Sequence, residues 1–442
     1  MKGNPTRYGG SPSAGGSLAQ GREPLVSGAL PVQRKTRAAA GLNLRRWLRP
    51  YTLTVLGAAV SFLVWVFPWG GDIRTGFTIK QPITLVGITV LVLWYGTIFL
   101  SSKLGYSLGS TRAPYQWIQS VNDTYFYATF TVLALLGVGY TYFLVVQTSP
   151  TLVSIALSQD TFNSVRSAIP YSAGLETLRY ASIVSGAIAA YEILLRRKIS
   201  PVHLINLGLL LASAAIASRL SIVLAGLLFM GIVAQKHSGF RVRPVVVIGA
   251  LAIGFLVLTP LNYIRNANFY RVQYGLTNPF VMTAYDMIAY LGAPSQVSIG
   301  VANNVGSQEP ERDVGAGIVA YVLPTYLSAY NSTVAQAQEN YRNYVDVETL
   351  LTTNSVFASM YGALGWSALP IIAVIAFVFS VVAGHASNYR NTFFLMGYVI
   401  SYAFAELWRV YLFNFGILHF LIAVLVIIPI VVAVVRPSKE SM

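Results

Sequence analysis

A single arginine lies in the middle of one of the most apolar parts of the sequence. Residues 214–224 read Ala-Ala-Ile-Ala-Ser-Arg-Leu-Ser-Ile-Val-Leu, so Arg219 has apolar residues on both sides. An arginine at the centre of a membrane helix costs roughly 2.5–3.5 kcal/mol on insertion scales, and such residues usually have a partner or a function. Ser218 and Ser221 place hydroxyl groups beside it. We therefore predict that this group binds an anion such as a phosphate; the alternative is an arginine that reaches the lipid headgroups.

A second group of candidates follows the next apolar run, in residues 260–271. Arg265 and Arg271 are six residues apart and cannot share one face of a helix. Arg265 is closer to the apolar run and is predicted to bind the same anion, whereas Arg271 fits headgroup contact equally well. The nearby polar and aromatic residues resemble a sugar-binding surface, which we expect to comprise Asn262, Tyr263, Asn266 and Tyr285. Tyr274 and Tyr326 are further candidates for stacking on a sugar ring, although tyrosine is also common at membrane interfaces.

A third candidate pair is Glu406 and Arg409, which are three residues apart and therefore neighbours on a helix. One interpretation is a local ion pair that holds a tight turn together. The other is that Glu406 acts as a catalytic base or orients an acceptor hydroxyl, while Arg409 supports anion binding.

The composition excludes an ordinary soluble enzyme. The chain has 442 residues, of which 55% are hydrophobic and only 10% are charged, and the mean hydropathy is +0.59. Soluble domains carry roughly 25% charged residues. The net charge of +15 would suggest nucleic acid in a soluble protein, but here it indicates membrane topology instead. The sequence predicts a polytopic membrane protein that does not bind nucleic acid.

Several kinds of chemistry are excluded by what the sequence lacks. It has no cysteine, so disulfides, thiolate metal sites and cysteine nucleophiles are ruled out. The four histidines are scattered, no paired acids lie in the first outer loop, and no Gly-rich phosphate loop is present. We predict that the protein uses neither a metal nor a cofactor and is not an ATPase.

Apolar runs long enough to cross a bilayer, about 17–25 residues, predict about ten transmembrane helices. We place them at 51–69, 82–100, 124–146, 175–194, 201–217, 220–235, 244–260, 355–383, 392–407 and 411–434. The predicted organisation is a disordered basic tail (1–50), seven helices (51–260), a large outer loop (261–354), three helices (355–435) and a short tail (436–442). Two semi-apolar stretches of the loop, 279–301 and 314–330, read as interfacial or re-entrant helices.

The basic residues set the predicted orientation. With both termini in the cytoplasm, twenty of the 30 Lys and Arg residues fall on the inner side, in agreement with the positive-inside rule. Nine of the ten outer basic residues are Arg, which favours planar contact with phosphate or carboxylate. These are Arg74, Arg166, Arg179, Arg219, Arg265, Arg271, Arg312, Arg342 and Arg409.

This layout resembles the Wzy-type O-antigen and oligosaccharide repeat-unit polymerases. The shared features are about ten spans, one large late outer loop, and the Ala-Ser-Arg-Leu-Ser hairpin at 217–221. The stretch 352–366 looks like the pattern with which that family re-enters the membrane after its large loop. The resemblance covers roughly residues 50–435 and leaves out the basic N-terminal tail.

The resemblance implies an all-helical GT-C fold in the bacterial inner membrane and glycosyl transfer on the outer leaflet. The donor and acceptor would be glycans on undecaprenyl diphosphate, and the protein partners would be a chain-length regulator and a flippase. Arg219 and Arg265 would bind the leaving diphosphate with support from Arg409, and Glu406 would act on the acceptor.

Three alternatives remain open at this point. Another GT-C transferase or an O-antigen ligase is the first, although the ligase is expected to use an outer-loop histidine that this sequence lacks. A lipid-linked oligosaccharide flippase is a non-enzyme alternative, but it would normally have more spans and no large outer loop. A structural membrane protein would not need Arg219.

Overall fold

The computed structural model describes residues 42–66, 81–148, 174–216, 220–237, 241–242, 244–306, 312–328, 332–345 and 355–435. All of them belong to one structural unit, which spans Gly41–Met442. Within these residues the regular secondary structure is helical apart from one pair of two-residue antiparallel strands, β1 (Leu42–Asn43) and β2 (Arg241–Val242).

The helices fall into two series along the chain. The first series is α1 (Leu44–Trp47), α2 (Pro50–Val66), α3 (Leu85–Ser110), α4 (Gln116–Gln119), α5 (Asp123–Thr148), α6 (Ala181–Leu194), α7 (Pro201–Ile216), α8 (Leu220–Lys236) and α9 (Pro244–Tyr274). The second is α10 (Pro279–Asn303), α11 (Val314–Val322), α12 (Thr325–Ser328), α13 (Ser332–Glu339), α14 (Val356–Leu364), α15 (Ala368–Ala386), α16 (Leu395–Ala405) and α17 (Gly416–Val435). Short 3-10 helices occupy Leu175–Tyr180, Asn340–Asn343, Gly365–Ser367 and Thr392–Phe394.

Four helical segments of the described chain are long and apolar enough to cross a membrane: Leu85–Ser110, Asp123–Gln147, Val356–Ala386 and Gly416–Val435. Shorter apolar helices lie at Pro50–Val66, Pro201–Ala215, Leu220–Lys236 and Thr392–Ala405. Apolar side chains also cover outward-facing surfaces, with Leu104 of α3 64% exposed and Val434 of α17 74% exposed. Such surfaces suit contact with lipid. The chain is therefore a helical membrane protein, and a helix lies at each of the ten positions predicted from the sequence.

Helices α3 and α15 are in close backbone contact at glycine residues. A Cβ atom added at Gly105 or Gly109 of α3 would collide with the backbone of α15 at Phe377 or Val381. In return, a Cβ at Gly384 of α15 would collide with the backbone of α3. Small residues four apart are the usual means by which membrane helices approach closely, because lipid supplies no hydrophobic force between them. We call this contact the glycine seam.

One end of the bundle collects the segments that the sequence places on the cytoplasmic side. We define this basic end by residues 42–49, 103–123, 236–237, 241–242 and 387–394. Asn391 donates to the carbonyl oxygens of Ile118 and Val121, at 2.6 and 3.1 Å, and Lys236 lies 3.1 Å from Asp123. The pairing of β1 with β2 also lies here and ties the start of the described chain to the segment before α9.

The segment predicted as a large loop at 261–354 contains helices at both stretches predicted to be helical. The stretch 279–301 forms α10, which has 25 residues, and the stretch 314–330 contains α11 and α12. Helix α9 was expected to end at residue 260 but continues through Pro260 as far as Tyr274. Residues 292–302 of α10 are buried throughout. Its polar side chains have partners in neighbouring helices, which is why a helix of modest hydropathy can lie inside the bundle. The segment after it, from α11 to the 3-10 helix Asn340–Asn343, is called the capping segment here; its helices α11 and α13 and the 3-10 helix pack against α14.

Candidate functional site

The candidate pair Glu406 and Arg409 lies where the chain leaves α16. Residues 406–415 connect the end of α16 to the start of α17, and Glu406 is the residue that caps α16. The Nε atom of Arg409 lies 2.5 Å from Oε2 of Glu406, and each side chain is only 9% exposed. The predicted proximity is therefore present, as an ion pair in a turn after the helix. Removing two charges from water is costly, so a pair this buried needs compensating interactions.

Aromatic rings supply part of that compensation. The Arg409 guanidinium lies 4.3 Å from the centre of the Tyr290 ring and 5.7 Å from the ring of Trp408. The two rings meet edge to face, with 6.3 Å between their centres. Tyr290 is 38% exposed, so the ring that covers the ion pair on this side is itself accessible. A cation over an aromatic face in a desolvated place is stabilised by about 2 kcal/mol or more.

The turn that carries the ion pair packs against the middle of the apolar helix α2. A Cβ added at Gly57, near the centre of α2, would lie 2.5 Å from Cδ1 of Trp408 and 2.8 Å from the carbonyl oxygen of Ala405. The Thr54 hydroxyl also donates to the carbonyl oxygen of Phe404 at 3.4 Å. Charged groups buried among the apolar helices of a membrane protein are rare and are functional candidates by default.

Helix α2 also fixes the helix that carries Tyr290. The Ser61 hydroxyl lies 2.6 Å from the carbonyl oxygen of Leu291 and 2.7 Å from the hydroxyl of Ser295. The indole of Trp65 donates to Gln296 at 2.6 Å. Because Pro294 removes a backbone donor from α10, side-chain donors at this point help satisfy its carbonyls.

The second predicted group lies where α9 packs against α10. Two of its members, Asn262 and Tyr285, are buried there rather than exposed on an open surface. Tyr285 is only 4% exposed, with its ring 5.6 Å from that of Tyr270 and 4.9 Å from that of Tyr274. Asn262 is fully buried and donates to the hydroxyl of Thr283 at 3.4 Å. Both residues therefore contribute to a small core between the helices, and the expected stacking of Tyr285 on a sugar ring is not compatible with this packing.

Tyr263 and Arg271, which belong to the same predicted group, are more accessible. Tyr263 is partly buried, and its hydroxyl accepts a hydrogen bond from the exposed Arg271 at 3.5 Å. Tyr270 donates to Asp286 at 2.8 Å in the same region. Arg265 and Asn266 lie within α9, but their side chains are outside the described part of the structure.

The predicted Arg219 group is described only in part. Ser218 and Arg219 lie outside the described residues, between α7 and α8 in the chain. Ser221, in the first turn of α8, is fully buried, and its hydroxyl has no hydrogen-bond partner among the described residues. The same holds for Ser213 near the end of α7 and for Ser185 near the start of α6. Helices α6, α7 and α8 pack against one another, and each carries one of these buried hydroxyls.

Two outer arginines with no predicted role also have well-defined surroundings. Arg179 is 7% exposed, lies 4.0 Å from Glu176 and contacts the ring of Tyr180 at 5.2 Å. Arg312 lies over the rings of Tyr344 and Tyr361. Each arginine that the sequence predicts on the outer side and that has a described side chain contacts a tyrosine. These arginines are Arg179, Arg271, Arg312, Arg342 and Arg409.

The chemistry of the site thus comes from guanidinium, carboxylate, hydroxyl and aromatic groups. Among the described residues, no three His, Asp or Glu side chains come together as a metal-ligand set. A guanidinium that neutralises a diphosphate and a carboxylate beside it can together serve group transfer from a phosphorylated donor. No protein family model, no curated protein and no solved structure matches this chain.

Proposed function

We propose that this protein is a polymerase that joins oligosaccharide repeat units carried on undecaprenyl diphosphate. The observation that carries the proposal is the Glu406–Arg409 pair, buried in a turn that packs against the middle of α2, beneath the accessible ring of Tyr290. An aromatic ring over a cation suits a substrate that combines sugar with diphosphate. The proposed fold is GT-C-like with ten membrane crossings, and the proposed partners are a chain-length regulator and a flippase.

The proposed step is a transfer at the anomeric carbon of the donor glycan. The acceptor hydroxyl oxygen forms a bond to that carbon while the bond to the diphosphate oxygen breaks, and the electron pair leaves with the diphosphate. Arg409 exchanges its contact with Glu406 for the departing diphosphate, and Arg219, Arg265 and Arg271 are proposed to add positive charge. Glu406, released from the ion pair, accepts the proton of the acceptor hydroxyl.

The proposed location is the bacterial inner membrane, with the basic end and both termini in the cytoplasm. The support is the excess of Lys and Arg in the segments that meet at the basic end. Cysteine introduced at Ser307 should react with a membrane-impermeant thiol reagent in whole cells, whereas cysteine at Ser238 should react only after lysis. The chain has no cysteine of its own, so the unsubstituted protein is a blank. The reverse pattern would place the proposed chemistry on the wrong side of the membrane.

The activity is tested with purified protein in detergent micelles. Given lipid-linked repeat units, we expect the protein to form polymer ladders in EDTA as well as in magnesium, because the proposed charge neutralisation uses arginine. A matched sample carrying Glu406→Gln and Arg409→Gln should form none. Polymer synthesis that stops with chelator and resumes with added metal would contradict the arginine-based mechanism, and absence of any glycosyl transfer would contradict the proposed activity.

A flippase for lipid-linked oligosaccharides is the second candidate. The observation that favours it is the non-helical segment 406–415, which carries a charged pair between α16 and α17. Interrupted helices with charges are common at the substrate sites of transporters. The two functions separate in micelles, where no second compartment exists: a polymerase still forms product there, whereas a flippase produces no chemical change.

A further inference from the structure

Arg312 stands immediately before the capping segment, over the turn between α14 and α15. Its guanidinium carbon lies 5.5 Å from the ring centre of Tyr361 and 5.9 Å from that of Tyr344, and Nη2 donates to the Tyr344 hydroxyl. Among the described residues, its buried Nε atom has no hydrogen-bond partner and Arg312 forms no ion pair. Two acidic residues adjoin Arg312 in the chain: Asp313 is exposed and accepts from the backbone nitrogen of Ala316 at 2.9 Å, and Glu311 lies outside the described residues. No described carboxylate therefore pairs with the Arg312 guanidinium.

An apolar groove begins directly beneath this guanidinium. Gly365 is at the point of contact: its φ is +59°, and a Cβ there would lie 2.8 Å from Nη1 of Arg312. A side chain at this position would therefore be strained and would separate the arginine from the groove. The groove runs between α3, α14 and α15 and is lined by Leu93, Trp94, Phe357, Tyr361, Trp366 and Leu369.

The groove is both aromatic and open to the lipid-facing surface. Leu93 and Trp366 are 47% and 48% exposed, so its side wall is accessible from the bilayer. Trp94 is 3% exposed, and its indole nitrogen has no hydrogen-bond partner among the described residues. A ligand here would meet a cation at one end, an unused donor inside and flat rings along its length.

We infer that Arg312 and this groove bind the second lipid-linked substrate of the reaction, with its diphosphate on Arg312 and its first isoprene unit lying along the open side of the groove. The inference rests on the proposed function, because transfer between two lipid-linked glycans needs two lipid sites and the Glu406–Arg409 pair provides only one. The cation complements a phosphate, and the branched, unsaturated isoprene units fit the flat aromatic walls.

The test uses a polyprenyl diphosphate with a photoactivatable diazirine in the isoprene unit nearest the phosphate. The full-length protein is placed in lipid nanodiscs, illuminated with this probe, and the labelled peptides are mapped. We expect labels at Trp94 and Trp366. Arg312→Gln should weaken the apparent affinity of this labelling by about tenfold, as expected for loss of a charged hydrogen bond. The matched control is Arg342→Gln, because Arg342 also lies over a tyrosine but is paired with Glu339 at 3.3 Å, and it should label normally.

A second pair of variants tests the groove without touching the arginine. Leu93→Trp should fill the groove and lower labelling, whereas Val92→Trp, at the neighbouring 65% exposed position, should not. Excess unlabelled polyprenyl phosphate should compete, and excess phosphatidylglycerol should not. Equal competition by phosphatidylglycerol, or labelling insensitive to both Arg312→Gln and Leu93→Trp, would overturn the inference.

The labelling readout also separates this inference from the proposed function. Specific labelling of the groove in a protein that forms no polymer contradicts the polymerase proposal and leaves a polyprenyl-phosphate site in place. Polymer formation that is unaffected by loss of the groove label contradicts the second-substrate site alone.

Discussion

Arg409→Ala is expected to abolish polymer synthesis, with the rate falling on the order of 10²–10³-fold, the usual effect of losing one charge-stabilising contact in a water-poor site. Arg409→Lys should also fail, because the ammonium group lacks the planar fork of the guanidinium and its stacking on Tyr290. The measurement is the length distribution of polymer made by purified variants. Wild-type ladders from Arg409→Ala would remove Arg409 from the proposed mechanism.

A structural role of the pair must be distinguished from a catalytic one. Removing one partner of a buried ion pair leaves an uncompensated charge and destabilises proteins by about 3–5 kcal/mol. The double variant Glu406→Gln with Arg409→Gln has no such charge, so we expect its folded yield and thermal midpoint to recover while its activity stays absent. Recovery of polymer synthesis together with stability would show that the pair only holds the turn. Arg342→Ala, at a partly exposed pair, should resemble the unsubstituted protein.

Arg219→Lys and Arg219→Ala are both expected to abolish polymer formation at normal expression levels. Arg219 follows the apolar end of α7 and precedes the buried Ser221, so a bound anion is the partner that best offsets its desolvation. Lys would keep the charge but lose bidentate contact with the diphosphate, and the expected loss is again on the order of 10²–10³ in rate.

The matched variant is Arg271→Lys. Arg271 is exposed, and its described contact is the Tyr263 hydroxyl. If both arginines only contacted lipid headgroups, replacing either one by lysine would have the same small effect. We expect Arg271→Lys to have almost no effect. Full-length ladders from Arg219→Ala, with the protein present at wild-type amount in the membrane, would exclude this residue from the proposed site.

The positions of the helices followed from the sequence because apolar runs of membrane length are a strong signal. The bounds of α10 also agree with the predicted helix at 279–301, but the continuation of α9 beyond residue 260 and the burial of α10 were not predicted. A membrane helix can keep its course through proline when neighbouring groups satisfy its backbone. The partners that allow this for α10, Ser61 and Trp65 among them, belong to α2 and are remote in sequence.

The candidate site was predictable to a similar degree. The spacing of Glu406 and Arg409 indicated their contact, since residues three apart interact whether the helix continues or ends in a turn. Tyr290 could not be assigned to them, because its place over the guanidinium depends on how α10 packs against α2. Nothing in the sequence distinguishes Arg312 from the other eight arginines predicted on the outer side, because only the fold brings Gly365 and the aromatic groove beneath it.

The contacts of α1 and α2 have a consequence for biosynthesis. The first described residues pair with β2, and Arg45 donates to the carbonyl oxygen of Ser387, while α2 packs on residues 404–408. At about 5–20 residues per second, the ribosome completes these partners tens of seconds after α2 has emerged. Helix α2 is therefore synthesised well before the residues at the end of α16 that it packs against. A chain interrupted before α16 lacks the residues that contact the middle of α2.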